Sequence, residues 1–198
     1  MPDLKPRQIE IIEAAGNILT AKGVSGLTTK NLASHMGFGE SALYRHFQSK
    51  EALILAMLHY LNDTMNKRLQ TTVEQHTTPV AKLRAVFANQ LDFFADSPQY
   101  LIAIFSEGLL EESEKINEAI KSIMATKRNH LTNIIRQGQK EGVFTNDLPA
   151  EDIVHTLMGS FRLLMLRWRI SDFEFDLQKR GNTLMENIYK LITTKNNA

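Results

Sequence analysis

The apolar positions of this chain step by three and four almost throughout. Near the N-terminus Ile11, Ala15 and Ile18, interleaved with Ile12 and Leu19, mark one face of a helix. That helix is expected to stop at "KGVSG", where Gly23 can take the positive φ of a C′ residue. Thr28 then caps a short helix, "TTKNLASHM", with Leu32, Ala33 and Met36 on its buried face. "GFG" breaks the chain, and a third short helix is expected over 40–47. Ser49 caps a fourth and long one, reaching about Val73, with Glu51 in its first turn and Leu53, Ala56, Met57, Tyr60, Leu61 and Met65 on its apolar side.

Past "QHTTP" the pattern predicts a fifth helix, "VAKLRAVFANQLDFFA", with Pro79 at a first helical position. A sixth follows over "YLIAIFSEGLL", and a seventh from about Ile116 to Glu141, ended by Gly142. An eighth reaches about Ile170, and a ninth runs from about Phe175 to Thr193. No period-two alternation survives for five residues between turn signals, and no repeat appears, so the fold class is all-α.

The first fifty residues carry a distinct arrangement. Two short helices joined by a glycine turn, behind a longer one, form a helix-turn-helix unit. Leu32 and Ala33 are expected to pack on Leu43 and Phe47, holding the third helix across the second. Its outer face, Glu40, Ser41, Tyr44 and Arg45, then points away from the core. Gly39, Ser41 and Ala42 make a slim tip that suits a DNA major groove. Tyr44, His46 and Lys50 can reach phosphates beside it, and Thr28 can offer its hydroxyl to another.

Composition narrows the partners. The chain has 198 residues, 43% hydrophobic and 23% charged, enough for one large domain or two small ones. The absence of cysteine excludes disulfides, thiolate metal sites and thiol nucleophiles. Charges run through "MPDLKPRQIEIIEAAG", so no signal peptide is expected, and no run of about 18 apolar residues predicts a membrane span. A cytoplasmic protein is expected. The net charge is only +1, but residues 1–50 hold six Lys/Arg against four Asp/Glu, the sign that suits a nucleic-acid module.

Catalytic chemistry finds little support. Asp152 and His155 stand at helical D-x-x-H spacing, but a di-iron bundle needs such a motif twice with two more carboxylates. No H-E-x-x-H, nucleophile elbow or phosphate loop occurs. No catalytic residue, metal site or cofactor is therefore expected.

The stretch "IIEAAGNIL…KG…LTTKNLASHMGFGESALYRHFQSKEAL", about Ile11 to Leu53, resembles the DNA-binding domain of TetR-family transcriptional regulators. The resemblance implies a nine-helix protein with a helix-turn-helix domain over 1–48 and a ligand-binding and dimerisation domain over 49–198. It implies an obligate homodimer on a palindromic double-stranded DNA operator. It also places Thr28, Thr29, Gly39, Glu40, Ser41, Tyr44, Arg45, His46 and Lys50 at DNA-contact positions. Two positions depart from the family pattern. Gly39 stands where Ser or Thr is usual, and Glu40 is acidic where many members are neutral or basic. Glu40 either accepts from a cytosine N4 or repels phosphate.

Large adaptable side chains between residues 80 and 170 suit an apolar pocket between bundle helices. The candidate ligand residues are Met65, Phe87, Gln90, Phe94, Phe105, Met124, His130, Met158 and Arg162. The last two helices are apolar on more than one side. Gly159, Leu163, Leu166, Leu177, Gly181, Leu184 and Ile188 are the candidate dimer surface, two helices from each chain making a four-helix interface. The expected function is a repressor released from its operator by a small apolar or amphipathic effector of unknown identity. The alternative is a helical ligand-binding or catalytic bundle whose N-terminal unit is purely structural.

Overall fold

A computed structural model describes residues 4–101, 109 and 113–194. Among them no strand occurs, and one isolated antiparallel bridge joins Phe144 to Thr193. The helices with defined bounds are α1 (Pro6–Gly26), α2 (Thr29–Met36), α3 (Glu40–Tyr44), α4 (Lys50–Glu74), α5 (Pro79–Asp96), α6 (Glu114–Lys140), α7 (Ala150–Ile170) and α8 (Leu177–Ile192). A further helical turn begins at residues 99–101. The rest of the expected sixth helix lies outside the described residues, apart from a helical Leu109.

The helix ends follow local chemistry. Thr28 Oγ1 accepts from the Asn31 amide at 3.1 Å, and Ser49 Oγ accepts from the Ala52 amide at 3.0 Å, each capping a helix start. Gly37 closes α2 in the left-handed region, φ 70°, ψ 28°, a conformation that costs a side-chain-bearing residue more. α3 is shorter than its apolar pattern predicts and ends at Tyr44. The chain turns there so that Phe47, only 7% exposed, can tuck under the helix.

The chain divides into two compact units, one of residues 1–63 with 97–123, the other of 64–96 with 124–198. In the first, α1 buries Ile11, Ile12, Ala15, Ile18 and Leu19, and α2 and α3 contribute Leu32, Ala33 and Leu43. Gln8 Nε2 donates to the His46 carbonyl at 3.2 Å, tying the start of α1 to the end of the α3 turn. α1 also meets the segment after α5: a β-carbon on Gly16 would stand 3.1 Å from Gln99 Cγ. Tyr100 is buried beside it, and its hydroxyl is pushed up to about 12 by that burial and by Glu13 and Tyr60.

In the second unit α5 and α8 pack closely. Tyr189 donates its hydroxyl to the Leu83 carbonyl at 3.4 Å, and a β-carbon on Gly181 would fall 2.4 Å from Leu91 Cδ2. The turn after α6 folds back over Gly138, whose carbonyl accepts from the Val143 and Phe144 amides. The Phe144 ring, fully buried, sits where a Gly138 β-carbon would be, 2.1 Å from Cδ2. Gly138→Val is therefore expected to expel that ring and cost about 3 kcal/mol, read as a lower urea midpoint with the helical signal of the folded state retained.

Candidate nucleic-acid interface and ligand-binding interior

α2 and α3 hold a polar face over an apolar support. Leu32, Leu43, Phe47 and Leu53 line the floor of a narrow cleft, and Thr28, Thr29, Ser49 and Lys50 also line it. Leu43 is 3% exposed, whereas Tyr44 beside it is 50% exposed. Thr28, Gly39, Glu40, Ser41 and Arg45 are exposed as well, and Thr29, His46 and Lys50 are partly so. Thus all nine predicted contact residues reach solvent, and the cleft brings Thr28, Thr29 and Lys50 together. Gly39 caps α3 without any side-chain hydrogen bond. One contact was not expected: Thr29 Oγ1 donates to Glu40 Oε2 at 2.6 Å. The acid at the start of α3 is therefore held by the first residue of α2. Its charge also suits the helix start, where the backbone N–H groups are unpaired.

The interior of the second unit carries most of the predicted ligand residues. Phe87, Gln90 and Phe94 share one face of α5 and are 1%, 2% and 4% exposed. Phe161 of α7 stacks against both rings, with centroids 5.5 Å and 6.4 Å away. Met65 is buried, Met158 half-buried, and half-buried His130 bonds through Nε2 to Asn66 Oδ1 at 2.8 Å. Burial lowers the His130 pKa. Two candidates are corrected. Met124 is 45% exposed and Arg162 is exposed, because α6 and α7 turn other faces inward. Phe105 lies outside the described residues.

The pattern reading missed Lys127. Along α6 the buried stripe runs Ile116, Ile120, Ile123, then Leu131 and Ile134, and Lys127 fills the step between. Its Nζ lies 3.9 Å from the Phe161 ring centroid and 5.6 Å from that of Phe87. The residue keeps partial exposure, but its ammonium end is deeply buried, and that desolvation pushes its pKa down from 10.5 to about 7. The signal was a lone lysine in the register of an isoleucine stripe.

Two family descriptions divide the chain. Residues 11–57 match bacterial regulatory proteins of the tetR family, and residues 59–195 match the C-terminal region of YsiA-like proteins. The chain belongs to the TetR family of bacterial regulatory proteins.

Membership makes it a DNA-binding transcriptional regulator with an N-terminal helix-turn-helix and a helical C-terminal region, and does not favour the structural-bundle alternative. The chain is 26% identical over 173 residues to the nucleoid occlusion factor SlmA of Vibrio vulnificus strain YJ016, covering 85% of this chain and 87% of that one. It is 21% identical over 189 residues to the fatty acid metabolism regulator protein of Bacillus subtilis, 94% and 95% of the two chains. The fold is shared with FadR from Bacillus subtilis, solved with stearoyl-CoA, at TM-score 0.82 and 19% identity over 93% and 98% of the chains. Among the described residues no helix is long and apolar enough to cross a membrane.

In this TetR-family chain the expected dimer residues fall into two sets. Leu177, Gly181 and Ile188 are buried. This corrects their assignment to a partner surface: the Gly181 site is filled by Leu91, so the glycine serves α5 of the same chain. Gly159, Leu163 and Leu166 lie instead on an outer stripe of α7 that continues to Ile170, with Leu163 58%, Leu166 42% and Ile170 72% exposed. Leu184 is partly exposed and joins Leu163 in a groove of about 350 Å³ between α7 and α8.

Proposed function

We propose that this chain is a cytoplasmic, homodimeric repressor that leaves a palindromic operator when a small apolar or amphipathic effector binds its C-terminal region. It performs no catalysis. The observation that carries the reading is the exposed face of α3, Glu40, Ser41 and Tyr44, with exposed Arg45 just past its end, standing over buried Leu43 and Phe47. In this reading 1–48 act as the DNA-binding domain and 49–198 as the effector and dimerisation domain. The tip from Gly39 to Ser41 enters the major groove, and Tyr44, Arg45, His46, Lys50, Thr28 and Thr29 position it on the backbone. The exposed stripe of Gly159, Leu163 and Leu166 with Leu184 supports a paired surface, since apolar residues in such a row are normally covered.

Effector binding can shift an equilibrium only by its different affinity for the two states. α4 is the element suited to transmit it, because it starts at Lys50 in the first unit and ends at Glu74 in the second. The relatives named for fatty acid metabolism and solved with stearoyl-CoA support an apolar or amphipathic effector.

The test is selection of bound duplexes from a random library, followed by gel shifts at two salt concentrations. An inverted repeat whose binding weakens with salt is expected. Absence of binding to any duplex sinks the proposal. The Thr29–Glu40 hydrogen bond favours repulsion of phosphate over base reading by Glu40. Glu40→Ala is then expected to tighten binding to all duplexes alike, by about threefold at low salt, as befits one screened charge. A loss of preference at a single base pair would show instead that Glu40 reads a base.

A further inference from the structure

The aromatic wall of the second unit bears hydrogen-bond donors without a partner among the described residues. Gln90 is 2% exposed, and its Nε2 has no partner. Lys127 places its ammonium on the Phe161 and Phe87 rings, and among the described residues no carboxylate pairs with it. Gln90 lies one turn from both Phe87 and Phe94 on α5; Phe161 touches both of those rings, and Lys127 lies over Phe161 and Phe87. Ring faces attract a cation but accept no conventional hydrogen bonds of carbonyl strength. Buried polar groups are almost always paired in folded proteins, and an exception calls for a partner.

We propose that Lys127 and Gln90 form the head-group end of the effector site and that the head group is a carboxylate on an apolar body, which lies along Phe87, Phe94 and Phe161. This deepens the effector reading above and rests on it. A carboxylate supplies acceptors for both donors and one negative charge for one ammonium. A phosphate dianion would bring a second charge into apolar surroundings without a counterpart. Burial lowers the Lys127 pKa to about 7, and an anion beside it would favour its charged form. Arg68 is not assigned to the head group, because its Nη1 already donates to Asn89 Oδ1 at 2.9 Å and its guanidinium covers Phe93.

The test titrates the full-length protein with dodecanoate, 1-dodecanol and dodecanoyl-CoA, following the fluorescence of Trp168, the one tryptophan of the chain. Dodecanoate is expected to bind at least about tenfold tighter than the alcohol, as one charge-assisted contact provides. In Lys127→Met the ratio of the two affinities should fall to about one, and Gln90→Leu should weaken dodecanoate several-fold. Equal binding of acid and alcohol by the unaltered protein overturns the proposal. So does an acid preference that survives Lys127→Met, or failure of all three compounds to bind. If dodecanoyl-CoA binds tighter than the free acid and depends equally on Lys127, the head group is not a carboxylate and the assignment also falls. Release of operator DNA is measured separately with the same compounds. Release by the alcohol as readily as by the acid removes the carboxylate site and leaves the repressor reading intact. Binding of dodecanoate through Lys127 without any effect on DNA removes the repressor reading instead.

Discussion

Tyr44→Ala is expected to weaken operator binding by about tenfold to a hundredfold while leaving the fold unchanged. The two halves of that expectation have separate causes. Tyr44 is 50% exposed at the last residue of α3, so truncating it removes little buried surface. Its neighbour Leu43, 3% exposed, carries the packing. A hydroxyl donating to a charged phosphate contributes roughly 1.5–3 kcal/mol, and each 1.4 kcal/mol is about a factor of ten. Tyr44→Phe isolates the hydroxyl and should account for most of the loss. Arg45, exposed and without an ion pair among the described residues, acts differently. Arg45→Ala should lower affinity for operator and unrelated duplex alike and reduce the salt slope by about one. Gel shifts across a salt series, with circular dichroism of each variant, measure both effects. Unchanged affinity in Tyr44→Ala would remove α3 from the DNA surface.

Lys127→Met should make the protein more stable, by on the order of 4 kcal/mol at pH 7. The ammonium end is buried among phenylalanine rings with no carboxylate partner among the described residues, and its pKa falls from 10.5 to about 7. Each tenfold change in acidity corresponds to roughly 1.4 kcal/mol, and apolar replacements of buried charges are commonly stabilising. The pH dependence follows in sign. Between pH 7 and 10.5 the unfolded chain holds this proton and the folded chain does not, so folding stability rises with pH across that window. The advantage of Lys127→Met should therefore shrink as pH rises from 7 towards 10. His130, lowered from 6.5, and Tyr100 and Tyr189, raised above 10, do not titrate in that window. Urea unfolding of both proteins at pH 7 and 9.5 reads the difference. A constant difference at the two pH values would place the lysine in water.

The presence of a residue that costs stability is the physical reason to read Lys127 as functional. Natural sequences tolerate such a conflict mainly where a site requires it. The same lysine shows where pattern reading fails. A periodicity search collects apolar residues and treats an interruption as a gap. The gap in the stripe Ile116, Ile120, Ile123, Leu131, Ile134 held the informative residue. Gln90 was legible as a polar residue on an aromatic face, but its unpaired amide was not.

The last two helices illustrate a second limit. Leu177, Gly181, Leu184, Ile188 and Leu191 form one stripe in the sequence. Packing divides it, with Leu177 2% and Leu191 80% exposed. Spacing reports that a face is apolar and small, and it cannot report which neighbour covers that face. Leu91 of α5 covers Gly181, a contact between residues ninety positions apart.

The sequence by itself determined the helical class, the caps at Thr28 and Ser49, the left-handed turn at Gly37 and the exposed polar tip of α3. These depend on residues within a few positions of one another, through hydrogen bonds and backbone sterics that any short segment carries with it. Tertiary structure alone decided the Thr29–Glu40 hydrogen bond, the burial of the Lys127 ammonium and the sorting of α7 and α8 into covered and open faces. Those outcomes depend on side chains brought together from distant segments, where burial fixes both the strength of a charge and the partners left to meet it.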